Sequence, residues 1–245
     1  MIRSIVLMAG LGLAVPTWTD VVSRLDRATA AGDAAALRAV IGDAEKLADV
    51  TGQERERELA LNAAAYGAWR LSTMPGVPPS ESAALLKVAE KDLRELLNMN
   101  PQSGEGCALL ASILGQMIRF SGGGVSKMTL GPEASAMRER ATKAEPNNPR
   151  VVLQSAMSLF FTPAEYGGGA DKAEAGLRQA LALFEREPAR RPWPNWGRFD
   201  AHAWLGQVLA ARGDKAGARA EYEAALALWP ASAWVKQVLM PALDK

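Results

Sequence analysis

Apolar positions along the chain recur every three to four residues, which is the spacing of amphipathic helices. Short polar breaks divide these stretches into pairs. In the segment 18–50 the break is Gly32-Asp33, and in the segment 199–232 it is Arg212-Gly213-Asp214. A glycine can end one helix, and an aspartate directly after it can cap the next. The pattern therefore predicts antiparallel helical hairpins.

The middle of the chain repeats itself at an interval of 45 residues. The glycine run 122–124 recurs as 167–169, and Pro101 recurs as Pro146. Each glycine run lies between two apolar-periodic stretches, so the helices expected here are 104–120, 132–144, 149–161 and 170–187. Inserted loops then fall at 121–131, 162–169 and 188–198. Insertions of this kind often build the binding face of a helical-repeat protein.

The segment Phe199–Ser232 resembles one tetratricopeptide repeat (TPR), a helical hairpin of 34 residues. The residues that carry the resemblance are Gly206, Gly213, Asp214, Ala218, Tyr222, Ala225 and Pro230. Weaker second-helix halves lie at 33–50 and 89–101. The resemblance implies an all-α fold, a right-handed α-solenoid of about 10–11 helices that ends in a capping helix over 232–243.

The N-terminal segment 1–17 is expected to be a signal peptide, and residues 18–245 a single solenoid domain with its clearest repeat at 199–232. Arg3 supplies a positive charge, and the uncharged stretch 5–15 has the length of a secretory apolar region. This stretch is shorter than the roughly 20 residues that cross a bilayer, so the mature chain should contain no membrane span. The segment predicts a periplasmic or secreted protein. The alternative is the first apolar helix of a cytoplasmic solenoid.

Composition argues against nucleic acid as a partner. The chain has 28 lysines and arginines against 27 acidic residues, a net charge of +1. Nucleic-acid-binding domains usually show a clear basic excess. Apolar residues make up 49% of the chain, which is enough for a continuous core along a solenoid.

Catalysis is not expected either. His202 and Cys107 are the only residues of their kinds, so an ordinary zinc site cannot be assembled from them. Cys107 lies in an apolar run, where a buried thiol is the expected state. The loop 121–127 lacks the Gly-Lys pair of a phosphate-binding P-loop. The sequence therefore predicts no catalytic residue, no cofactor and no metal.

Candidate binding residues follow from the repeat phase and from the inserted loops. The resemblance implies that first helices line a concave side that grips peptides or partner proteins, and the phase places Arg150, Met157, Phe160, Phe161 and Gln207 there. Aromatic residues in the loops add Tyr166, Trp193 and Trp196. Tryptophan and arginine are enriched at binding hot spots. For the two tryptophans, filling of the gap between hairpins is an alternative.

Two functions are compatible with this pattern. The first is a non-enzymatic scaffold in the cell envelope that binds a protein or peptide. The second is an accessory protein that binds a small molecule or a lipid-like ligand, for example in the service of a transporter. An open polar groove would favour the scaffold, and a closed apolar cavity would favour the ligand-binding protein.

Overall fold

The computed structural model describes residues 16–121, 125–187 and 196–244, without the side chains of residues 125–127 and 166. Helices follow one another through these ranges, which contain no strand. The long helices are α1 (Trp18–Ala31), α2 (Ala34–Val50), α3 (Glu54–Ser72), α4 (Pro79–Met99), α5 (Gly104–Phe120), α6 (Val125–Ala144), α7 (Pro149–Phe161), α8 (Ala170–Glu185), α9 (Arg198–Ala211) and α10 (Lys215–Leu228). Adjacent helices pack as hairpins in an all-α solenoid, which confirms the predicted fold class.

The C-terminal cap is less regular than the single helix expected over 232–243. It consists of a π-helical segment, Trp234–Leu239, and a short α-helix, Met240–Ala242. Val235 and Leu239 of this cap are buried. They belong to a continuous apolar core that begins at Trp18 in α1.

The Gly-Asp turns form as the sequence indicates. Gly32 and Gly213 adopt the left-handed conformation, with φ of 65° and 85°. Asp33 accepts hydrogen bonds from two backbone N–H groups of the first turn of α2. Asp214 accepts one from Gly217 in α10 at 2.8 Å. These side chains satisfy backbone donors that a helix start would otherwise leave unpaired, and they fix the hairpin geometry.

Two predicted helix boundaries need correction. Helix α6 begins at Val125 rather than at residue 132, so Pro132 lies inside the helix. Proline prefers the first turn of a helix, so the sequence alone favours a helix start at Pro132. The turn before it is helical as well, and Leu130 in that turn packs against the core. Helix α8 ends at Glu185, two residues before the predicted end at 187.

The array curls back on itself, so that α3 contacts the start of α9. Tyr66 of α3 stacks on Trp196, which precedes α9, with ring centroids 4.8 Å apart. One turn later, Arg70 Nη1 donates a hydrogen bond to Asp200 Oδ1 of α9 at 2.6 Å, and these two residues are 130 positions apart. The concave side formed by α3, α5, α7 and α9 is therefore a partly enclosed groove rather than an open channel.

A buried carboxyl group in α4 makes the stability depend on pH. Asp92 is 3% exposed, and its Oδ2 has no hydrogen-bond partner in the described part of the chain. Burial raises its pKa to about 7, and repulsion from Glu45 adds to this effect; Lys91 opposes it, while Glu95 and Asp49 raise the pKa further. The folded protein therefore keeps a proton that the unfolded chain loses near pH 4. This group's contribution to stability falls as the pH rises from about 4 to about 7.

Replacing Asp92 by asparagine should remove the loss of stability that accompanies the rise in pH from about 4 to about 7. We expect the Tm at pH 8 to rise by a few degrees, because about 1 kcal/mol shifts the Tm of a chain of this size by roughly 2–4 °C. At pH 4.5, where the aspartate is protonated, the two proteins should melt alike. Thermal unfolding followed by circular dichroism at both pH values measures the difference. An equal difference at the two pH values would contradict the assignment to Asp92.

Candidate functional site

The concave side carries a groove of about 640 Å³ between the first helices of successive hairpins. The loop after α3 borders one end, and the C-terminal cap borders the other. Its lining comes from distant parts of the chain: Trp69, Arg70, Ser72, Thr73, Met74, Pro75, Val77, Pro79, Ser82, Gln116, Arg119, Phe120, Met157, Phe161, Trp204, Gln207 and Trp234. The groove lies on the concave side of the array, where α3, α5, α7 and α9 each contribute lining residues.

One wall of the groove is aromatic. The ring of Phe161 meets those of Phe160 and Trp204 edge to face, with centroids 5.4 Å apart in both pairs. Trp204 also lies 5.9 Å from Trp234 of the cap. Edge-to-face and tilted pairs hold rings in fixed orientations. Phe161 is nevertheless 61% exposed, so this wall offers a preformed aromatic surface to a ligand.

Polar groups of the groove are only partly paired. The indole Nε1 of Trp69, Oε1 of Gln116 and Nε2 of Gln207 are buried and have no hydrogen-bond partner in the described ranges. Arg119 is exposed at the end of α5, and none of the ion pairs within those ranges involves it. Buried polar groups in proteins nearly always have a partner. The groove therefore has hydrogen-bonding capacity that the described protein atoms do not use.

The other arginine of the groove is neutralised by the contact between α3 and α9. Arg70 pairs with Asp200, whose side chain is 1% exposed. Its guanidinium also lies 5.7 Å from the centre of the Trp69 ring and 5.3 Å from that of Trp229. Burial raises the pKa of Asp200, and the positive charge of Arg70 opposes this rise. This pair holds the back of the groove together.

Four of the residues expected on the concave side lie in or next to the groove. Met157, Phe161 and Gln207 line it directly. Phe160 packs against Phe161 and lies 6.3 Å from Trp204, behind the aromatic wall. The repeat phase thus brings these four residues together.

Arg150 and Trp196 require a correction, because they are buried at 1% and 2% exposure. Arg150 Nη1 donates to Glu187 Oε1 at 2.6 Å. Its guanidinium lies 5.3 Å from the ring of Phe184 and 5.6 Å from that of Trp196. Both side chains fill the space between α7, α8 and α9, so neither presents a surface to a partner.

The remaining expected residues fall outside what the structure describes. Trp193 belongs to the segment 188–195, and of Tyr166 the backbone but not the side chain is described. The first glycine run, 122–124, and residues 1–15 of the predicted signal peptide are likewise outside the described ranges.

Several groove residues were not expected from the sequence, among them Trp69, Gln116, Arg119, Trp204 and Trp234. For Gln116 a signal existed, because it stands 45 positions before Phe161, which is the interval of the internal repeat. The contributions of α3 and of the cap had no such signal, because they depend on how far the array curls.

The single histidine and the single cysteine of the chain do not line the groove. His202 Nδ1 lies 2.7 Å from Glu221 Oε2, in the contact between α9 and α10. Cys107 is buried, and burial raises the pKa of its thiol. No group of three or more His, Cys, Asp or Glu residues in the described ranges could hold a metal ion. None of the described helices is long and apolar enough to cross a bilayer.

Solved structures that resemble this chain include the following two proteins. The HusA haemophore from Porphyromonas gingivalis is 25% identical with a TM-score of 0.63, and the match covers 82% of this chain and 96% of that one. A thermophilic TPR protein from Thermus thermophilus is 20% identical with a TM-score of 0.61, and the match covers 93% and 99%. No family model and no curated protein sequence matches the chain. The chain has a TPR-like helical-repeat fold.

Proposed function

We propose that this protein is a non-enzymatic binding protein whose concave groove holds a small molecule with an apolar ring system. TPR-like folds are typically interaction modules without catalytic activity. The observation that carries the more specific proposal is the enclosure of the aromatic groove by the contact between α3 and α9. A volume of about 640 Å³ lies within the usual range for small-molecule pockets.

Enclosure separates this groove from one that binds an extended peptide. A peptide that follows several first helices needs a channel open at both ends. Here the pairs Tyr66–Trp196 and Arg70–Asp200 join α3 to the start of α9 at one side of the concave face. A compact ligand fits such a space better than a long chain does.

Haem and related tetrapyrroles are the first ligands to test. The HusA haemophore shares the fold over nearly its whole length. The ring of Trp204, together with Phe161 and Trp234, offers apolar faces and edges suited to a planar macrocycle. Among the described residues no histidine or cysteine lines the groove. Met74 and Met157 line it, and a thioether can bind haem iron. Metal-free protoporphyrin IX is a suitable probe, because it tests the ring contacts apart from ligation of the iron.

Replacing Phe161 by alanine should weaken the binding of protoporphyrin IX about tenfold, because one aromatic contact is lost. The side chain is mostly exposed, so the fold should persist. Quenching of tryptophan fluorescence during titration measures the dissociation constant, since Trp204 and Trp234 line the same groove.

Leu228→Ala is the matched control, because Leu228 is an exposed apolar residue outside the groove. It should bind protoporphyrin IX as the unmodified protein does. Equal affinities for the two variants would contradict binding at this wall. An unmodified protein that does not bind the porphyrin at micromolar concentrations would refute tetrapyrroles as the ligand class.

A protein or peptide partner is the second candidate. Phe120 and Phe161 are 45% and 61% exposed and both border the groove, so its rim carries apolar surface open to solvent. Exposed apolar patches often mark interaction sites. Cross-linking from position 120 in cells would recover a defined partner if this candidate holds.

We further propose that the protein acts in the cell envelope, which the N-terminal sequence of the mature protein would test.

A further inference from the structure

The groove contains a polar subsite besides its aromatic wall. Trp69 Nε1 and Gln207 Nε2 are N–H donors without a hydrogen-bond partner in the described ranges, and both are buried. The whole Trp69 residue is only 3% exposed, yet it lines the groove. Gln116 adds a buried amide, whose oxygen is also unpaired and which can rotate to present its NH₂ group. A ligand that brings acceptor oxygens would satisfy these groups.

The charged side chains among the described lining of the groove are all positive. Arg70 and Arg119 are its charged lining residues among those described, and no aspartate or glutamate lines it. Asp200 neutralises Arg70, which leaves the charge of Arg119 uncompensated. Arg119 is in the last turn of α5, three residues after Gln116, so the cation and the rotatable amide lie on the same side of that helix. A single positive charge beside several donors favours an anion.

We infer that the groove selects ligands that carry a carboxylate, with Arg119 as its ion-pair partner and Trp69, Gln116 and Gln207 as hydrogen-bond donors. The inference rests on the proposed function and adds the acidic group of the ligand to it. An arginine fork matches the two oxygens of a carboxylate. The C-terminal ends of α3, α5 and α7 border the groove, and their partial negative charge opposes any anion. It opposes a singly charged carboxylate less than a doubly charged phosphate.

The ligand is therefore an amphipathic acid. Its ring system lies against Phe161, Trp204 and Trp234, and its carboxylate lies toward α3 and α5. Gln207 connects the two parts, because it follows Trp204 by three residues on the same face of α9.

Protoporphyrin IX and its dimethyl ester separate the two contributions, because they share the macrocycle and differ in the acid groups. Both are titrated in the same dilute non-ionic detergent. The unmodified protein should bind the acid at least about tenfold more tightly than the ester, in keeping with a charge-assisted hydrogen bond. Arg119→Gln should lose this preference, because the substitution lowers the affinity for the acid and leaves the affinity for the ester unchanged. Arg178→Gln, which removes an equal charge outside the groove on α8, should keep it.

Equal binding of acid and ester by the unmodified protein would overturn the carboxylate site and leave the ring-binding groove standing. Absence of binding for both compounds would instead remove tetrapyrroles from the proposed function. If Arg119→Gln lowers the Tm but keeps the preference for the acid, Arg119 only complements the end of α5, and the site is overturned.

Gln207→Met provides a second variant of nearly the same volume. Because it removes a buried unpaired amide, the ligand-free protein should melt at an equal or higher temperature than the unmodified one. Its affinity for the acid should fall severalfold, while its affinity for the ester should not change. A lower Tm together with unchanged binding of the acid would show that the amide supports the fold rather than the ligand.

Discussion

Replacing Trp196 by alanine is expected to lower the free energy of unfolding by about 3–5 kcal/mol. The ring is 2% exposed and stacks on Tyr66 at 4.8 Å. It also lies 5.6 Å from the guanidinium of Arg150, so its loss leaves a cavity beside a buried cation. Such a cavity is costly because the helices around it can close only partly.

Urea denaturation followed by far-ultraviolet circular dichroism measures this change. Trp234→Ala is the matched control, because Trp234 is only partly buried in the cap. Trp234→Ala should lower the free energy of unfolding clearly less than Trp196→Ala does, and it should also lower the affinity for protoporphyrin IX. A cost below about 1 kcal/mol for Trp196→Ala would mean that the ring does not hold α3 and α9 together.

The second large effect is expected at the ion pair between Arg70 and Asp200. Asp200→Ala should cost about 3–5 kcal/mol, because it leaves a largely buried guanidinium without its carboxylate. The side chains are 17% and 1% exposed. Replacing both residues, Arg70→Met with Asp200→Leu, should cost much less, since no uncompensated charge is then buried.

A double-mutant cycle built from Arg70→Met, Asp200→Leu and the combined variant measures the coupling. We expect a coupling energy well above 1 kcal/mol, as for residues in direct contact. Additive costs would contradict a direct pair. The combined variant should also bind protoporphyrin IX more weakly, because the groove loses the contact that encloses it.

The fold could be predicted because its determinants are local in sequence. Gly32-Asp33 and Gly213-Asp214 mark hairpin turns by backbone conformation and capping, and both effects act within a few residues. The start of α6 was wrong for a related reason. Pro132 favours a helix start locally, but the packing of Leu130 extends the helix before it.

The site could be predicted only where the repeat phase determines it. Met157, Phe161 and Gln207 lie in the groove because their positions on first helices point to the concave side. The phase fixes the direction of a Cα–Cβ bond and not the end of a long side chain. Arg150 illustrates the difference, since its guanidinium reaches Glu187 between the hairpins.

The enclosure of the groove could not be derived from the sequence. It depends on contacts such as Arg70 with Asp200, which are 130 residues apart and leave no periodic signal. The curl of the array results from small rotations between successive repeats, and these add up along the chain. These accumulated rotations bring to the groove the side chains of Trp69, Trp204 and Trp234.

The contact between α3 and α9 also has a consequence for how the chain folds. In an open solenoid each repeat touches only its neighbours, so folding can begin anywhere and spread along the array. Here α3 completes its packing only after Trp196 and Asp200 have reached it from a distant part of the sequence. Such distant contacts raise the contact order and slow folding relative to an open array of equal length. The second and last hairpins are therefore expected to unfold together, in one cooperative transition.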